Sequence, residues 1–219
     1  MDRLKVGGVW VDRGAAVEYA HRYLMGGQGW AYPSYDGFDL AGARGPLVDA
    51  DLLAPVLLNV PWIGISTYEA LQRARPALQE VLDTLPPDLG LADAGPGDIQ
   101  RLGELFAVLD HHGMPGARGT ILSKVLHRKR PALIPLYDEQ VRHVYQDGEE
   151  APVPTERGRS WQEFEPMFAA AVQVDLIREL PFWEQLAAVA PGPPITALRA
   201  LDIVAWWAGS RHRVPPGPA

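Results

Sequence analysis

Apolar residues recur at helical spacing along most of the chain, and glycine, proline and charged residues cut them into short blocks. "AAVEYAHRYLM" (15–25) puts Val17, Tyr19, Ala20, Tyr23 and Leu24 roughly on one side and runs into Gly26-Gly27, which predicts a first helix. "DADLLAPVLLNV" (49–60) predicts a buried helix capped by Asp49 or Asp51 and stopped by Pro61. "STYEALQRARPALQEVLDTL" (66–85) opens on Ser66 with Glu69 three residues on, a capping box. Leu71, Leu78, Val81, Leu82 and Leu85 form its apolar stripe, and Pro76 is expected to kink or split it. "DIQRLGELFAVLDHHG" (98–113) carries Ile99, Leu102, Leu105, Phe106 and Leu109 at helical spacing, behind an aspartate cap. Further helices are predicted near 166–179, 182–190 and 195–208, with the blocks 86–97 and 146–160 as loops. No alternating strand pattern and no internal repeat shows, so the fold class is mainly α.

Composition narrows the chemistry. At 219 residues the chain can bury one generous core or two small helical lobes. With no cysteine it has no disulfide, no cysteine-zinc site and no thiol nucleophile. Neither a leader-like apolar segment nor an 18-residue apolar run occurs, so a cytoplasmic protein with no membrane span is expected. The net charge of −7 disfavours non-specific binding to a polyanion, because such affinity comes mostly from Lys and Arg on phosphates. A local basic run can override that balance.

Such a run exists within "HGMPGARGTILSKVLHRKRPALIPLYDEQVRHVY" (112–145). Lys124, His127, Arg128, Lys129 and Arg130 are the strongest basic cluster in the chain, with Lys124 and Arg128 one helical turn apart. They could hold the phosphates of DNA or of a nucleoside-like ligand, or form a solvated helix end whose charge suits the dipole. Ahead of them "MPGARGT" is a turn feeding a helix N-terminus, where Gly116, Arg118, Gly119 and Thr120 could offer backbone N–H groups to an anion. A tight packing turn is the plainer alternative. Asp138 follows an apolar loop and opens the next helix; it could stabilise a developing cation or activate water, or simply cap that helix.

This stretch resembles the helix-hairpin-helix and Gly/Pro-Asp loop of the base-excision DNA glycosylase superfamily, to which endonuclease III and the MutY adenine glycosylase belong. Met114-Pro115-Gly116-Ala117 matches the hairpin; Ile121, Leu122, Val125 and Leu126 match its second helix. Pro131 and "ALIPLY" match the loop and Asp138 the catalytic carboxylate. The resemblance covers about residues 50 to 145 and implies a glycosylase-like helical fold. Residues 50–145 would be its core, with 15–45 and 160–208 packed as a second lobe of one compact unit. It implies a monofunctional N-glycosylase, since Thr120 stands where lyase members carry a lysine. It assigns no second carboxylate for protonating a leaving base. The whole chain also resembles an uncharacterised actinobacterial family marked by "SKxLxRKRPxLIPxYD" and a terminal "LRxLDxxxW".

Trp30, Tyr32, Tyr35 and Tyr137, with Phe38, could line an aromatic pocket for a flat ligand, or pack as a cap on the core. His111-His112 lacks a third ligand at metal spacing, so no metal and no cofactor are expected. Arg199 and Asp202 lie a turn apart with Trp206 on the same face, and a structural ion pair explains them. The leading expectation is a glycosylase-like protein acting on a nucleobase N-glycosidic bond or binding DNA. Against it stand a non-catalytic module binding a small molecule or protein, and a specialised-metabolism enzyme on the same fold. A defined pocket under residues 29–38, away from any basic face, would favour a small molecule.

Overall fold

A computed structural model describes residues 2–26, 29–38, 45–60, 62–111, 113–148 and 150–211. Among them nine α-helices and one short hairpin surround a single apolar cluster that runs from Leu4 to Ala208.

The hairpin is the element that the hydrophobic pattern does not predict. Strands β1 (Arg3–Val6) and β2 (Val9–Asp12) pair antiparallel, with Val6 opposite Val9. Four residues are too few to show alternation, and the usable signal was the Gly7-Gly8 pair between them. Gly7 has φ of 55°, and a Cβ there would strike the backbone of Val144. The turn therefore packs tightly on the rest of the chain, held by Gly7 N–H donating to Asp175 and Gly8 N–H to the Val144 carbonyl.

Helix α1 (Arg13–Met25) is capped by Asp12, whose side chain accepts from Ala15 N–H at 2.9 Å. The predicted second helix is a single turn, α2 (Asp49–Leu53), continued as a 3-10 stretch over Ala54–Leu58. Neither Asp49 nor Asp51 is its N-cap. Val48 holds that position, and Asp51 reaches back to accept from Val48 N–H at 2.9 Å. Pro61 lies outside the described residues. Helix α3 (Ile65–Thr84) starts after Gly64, with no side-chain cap from Ser66, and it is not split. Pro76 is on its exposed face, so the ring needs no room in the core and only one backbone bond is lost.

Helix α4 (Pro96–Phe106) has Pro96 at its first position, and the Asp98 carboxylate accepts from Gly95 N–H at 3.0 Å. A 3-10 turn over Ala107–Asp110 leads to the 113–118 turn and then α5 (Gly119–Lys129). Helix α6 (Glu139–Tyr145) follows, then α7 (Trp161–Arg178), α8 (Leu180–Ala187) and α9 (Ala197–Arg211). Helix α4 packs on α7, and α9 packs on α6, α8 and α1. Contact between α6 and α9 is close because Gly209 has no side chain: a Cβ there would overlap the carbonyl of Gln140. No described helix is long and apolar enough to cross a membrane.

Candidate functional site

Helix α5 is buried along nearly its whole length, so its basic residues turn inward rather than forming a surface patch. It lies beside α2 and the Ala54–Leu58 turn, and residues 35–38 lie along it. Lys129 is 2.6 Å from the Asp51 carboxylate, both fully buried. Arg130 donates to the carbonyls of Lys129 and Leu82 at 2.9 and 3.1 Å. The Arg128 guanidinium sits 5.4 Å from the centre of the Phe38 ring. His127 is stacked on Tyr35, and its Nδ1 is 2.7 Å from the Ile134 carbonyl, the distance of an N–H donor there. Burial, reinforced by Arg199, holds that imidazole down at about 4. Groups committed in this way specify packing; His127 and Arg128 line a small hollow of about 70 Å³ with Tyr35, Asp36 and Arg199, and Lys124 opens onto a larger cavity.

The turn residues are likewise committed to packing. Gly116 has φ of 70°, and a Cβ on it would strike Thr67. A Cβ on Gly119 would overlap the Trp161 ring. Arg118 is exposed at the N-cap of α5, and Thr120 accepts from Ser123 at 3.3 Å. Gly116, Arg118, Gly119 and Thr120 all lie outside the cavity wall.

The aromatic set divides too. Tyr32 pins the 192–193 loop, its oxygen accepting from Gly192 N–H at 2.7 Å and donating to the Pro193 carbonyl at 3.2 Å. Tyr35 donates to the Lys124 carbonyl at 2.6 Å. Tyr137 points into another cluster, edge-on to Trp161, Phe164 and Phe168. Of the four predicted aromatics only Trp30 lines the cavity, where Tyr23 and Trp206 join it. The expected four-ring pocket is therefore replaced by a different trio.

That cavity, of about 280 Å³, lies between α1, α5, α9 and the start of α6. Trp30, Trp206, Leu58, Leu136 and Ile203 give it apolar walls, and Lys124, Asp138, Arg199, Asp202 and Asn59 give it polar ones. Asp138 is the N-cap of α6: its Oδ1 accepts from the N–H groups of Gln140 and Val141 at 3.0 and 3.1 Å. Its Oδ2 is 3.9 Å from Lys124 Nζ. Ser123, which the sequence did not single out, sets that spacing by accepting from Tyr137 N–H at 3.1 Å. Lys124 Nζ donates to the Leu58 carbonyl at 3.0 Å; burial lowers its pKa, and Asp138 partly restores it.

Arg199 is the buried hub of the polar wall. Its Nε and Nη2 hold the two oxygens of Asp36 at 2.8 and 3.3 Å, Nη2 also reaches the Tyr23 hydroxyl at 2.8 Å, and Nη1 bonds Asp202. The rings of Tyr23 and Tyr35 flank it. The ion pair expected from sequence is present, but as part of this wall rather than as an isolated brace. Burial, with the Asp138 charge nearby, pushes Asp202 up to about 7 despite Arg199.

A larger hollow of about 870 Å³ beside α1 and α8 is open, and its central Arg13 already pairs with Asp2 and Glu179. Among the described residues no cluster of three or more His, Cys, Asp or Glu stands ready for a metal. His111 is exposed, and His112 lies outside the described residues.

Fold and site together define a mainly helical protein with a charge-walled cavity between α1, α5, α6 and α9. The chain belongs to a family of unknown function, DUF6308, whose profile matches residues 16–209 and so contains every residue of the cavity wall. Comparisons with curated proteins and with solved structures gave no match.

Proposed function

We propose that the cavity takes a nucleoside-sized ligand and that the protein hydrolyses a nucleobase N-glycosidic bond, on a glycosylase-like helical fold. The observation that carries this reading is the meeting of Asp138 Oδ2 and Lys124 with the indoles of Trp30 and Trp206 in one cavity. A flat base fits between aromatic walls, and a carboxylate held by two backbone N–H groups stays fixed while positive charge grows on the sugar. The order of parts from Pro115 to Asp138 (turn, helix, proline loop, carboxylate at a helix start) supports the fold reading. Asp138 thus caps and faces the cavity at once, so the two roles weighed for it are compatible.

Burial of Lys129, Arg130 and Arg128 favours a free nucleoside or nucleotide fragment over duplex DNA, because buried bases neutralise no phosphates. Duplex DNA would need its base extruded into the cavity, with little positive surface to hold the strand. The test is chromatographic base release from a panel of purine and pyrimidine nucleosides. Anisotropy against a duplex carrying an abasic-site analogue, at low and near-physiological salt, runs beside it. Release by the wild-type chain that Asp138→Asn abolishes supports the proposal. Salt-sensitive, lesion-selective duplex binding without nucleoside release would move the substrate to DNA. A thermal shift with nucleosides but no base release would mean a binding module instead.

A further inference from the structure

We propose that Asp202 is the proton donor to the leaving nitrogen, acting across the cavity from Asp138; this rests on the N-glycosidic reading above. The family resemblance assigns no second carboxylate for protonating a leaving base, and the fold brings one to the cavity from the last helix. Lys124 and Arg199 face three carboxylates here, Asp36, Asp138 and Asp202, and Arg128 lines a hollow with Asp36 and Arg199. Arg199 gives both Nε and Nη2 to Asp36 and only Nη1 to Asp202. Asp138 is held by two backbone N–H groups with Lys124 nearby and Asp36 by two Arg199 bonds, so Asp202, with a single Arg199 bond, is the weakest-held site for a negative charge and the place for a proton.

Its geometry suits donation. Oδ2 is taken by Arg199, whereas Oδ1 accepts no hydrogen bond among the described residues, and Asp202 lines the cavity. The charged groups facing it are Arg199 from α9, Lys124 from α5, Asp138 from α6 and Asp36 from the 29–38 segment. The tyrosines Tyr19 and Tyr23 of α1, Tyr35, and Tyr145 of α6 also feel its charge. All four are neutral in the working range, so burial, the two cations and Asp138 set its proton affinity. Burial and the neighbouring Asp138 raise that affinity to about 7, which keeps a transferable proton on Asp202 near neutrality.

In the reaction the C1′–N bond breaks with its electron pair on the base nitrogen, which takes the Asp202 proton. Water adds its oxygen to C1′ and gives a proton to the Asp138 carboxylate. Exchange with solvent then returns Asp138 to its anion and Asp202 to its acid, so one water is consumed and sugar and base are released.

The experiment compares two kinds of leaving group in the full chain. The nucleosides found active above need a proton on the departing base, whereas 4-nitrophenyl β-ribofuranoside releases a phenolate that needs none. Asp202→Asn keeps an acceptor for Arg199 and should lower kcat on nucleosides about 100-fold or more while changing the nitrophenyl substrate less than about threefold. Asp36→Asn also loosens Arg199 and should move both substrates together. The wild-type chain read alone gives the same answer should Asp202→Asn fail to fold: an alkaline limb near 7 with nucleosides and none with the nitrophenyl riboside. Equal losses on both substrates, or an alkaline limb shared by both, would overturn the assignment while leaving the glycosidic reading intact. Hydrolysis of neither substrate by the wild-type chain overturns both.

Discussion

The α-carbon of Gly209 lies so close to the backbone of Gln140 that any side chain at 209 would overlap the Gln140 carbonyl. This contact fixes α9 against α6, and so fixes Asp202 relative to Asp138, because each helix carries one of the two acids. Gly209→Ala should therefore destabilise the fold by about 2 kcal/mol or more, as overpacking in a tight helix contact does. Urea denaturation would measure it, and a loss below about 0.5 kcal/mol would mean that the helices separate easily.

Asp138 separates capping from chemistry through two substitutions. Asparagine caps a helix about as well as aspartate, so Asp138→Asn should change stability by less than about 0.5 kcal/mol while removing activity. Asp138→Ala should cost about 1 kcal/mol in addition. Thermal melts beside the base-release assay test this. Full activity in Asp138→Asn would reduce the residue to its capping role.

Glu165 on α7 is fully buried, and neither of its carboxyl oxygens has a hydrogen-bond partner among the described residues. Burial raises its pKa well above the ordinary 4.5, so the folded chain holds this proton more tightly than the unfolded one. Its contribution to stability is full below about pH 4.5 and is lost as pH rises through the folded value. Glu165→Gln should flatten that decline as pH rises above about 5, on the order of 1 kcal/mol per pH unit. Denaturant midpoints at several pH values would show parallel curves for both chains if the carboxyl were instead hydrated.

The Lys129–Asp51 pair predicts a large asymmetry. Lys129→Met leaves Asp51 buried without its ammonium and should cost about 3 to 5 kcal/mol. Changing both together, Lys129→Met with Asp51→Leu, should recover much of the loss, since an apolar pair of similar bulk needs no solvation. Full additivity in that double-mutant cycle would show that the two do not interact.

How much of this could be read from the chain differs by kind of feature. Helical spacing located most of the described helices, because Leu102, Leu105 and their like report a buried face directly, but it ran two of them about seven residues too long: 49–60 ends as an α-helix at Leu53 and 98–113 at Phe106. Asp138 was legible as both a cap and a candidate acid, since both follow from an acidic residue at a helix start. Its partner was not. Asp202 looked like half of a local pair with Arg199, and only the packing of α9 on α6 brings it to the cavity. The basic run misled for a related reason: charge is visible in a sequence, but the distant acid that allows its burial is not. Asp51 sits far upstream of Lys129, and nothing in the local pattern links them. Pro76 looked disruptive because the rule for proline ignores which face it occupies.

Arg199 joins Tyr23 and Asp36, near one end of the chain, to Asp202, near the other. During synthesis the N-terminal half emerges first, carrying an aromatic wall and a carboxylate with no cation to meet. The cavity cannot close until α9 has cleared the ribosome, so its polar wall is the last part of it to form.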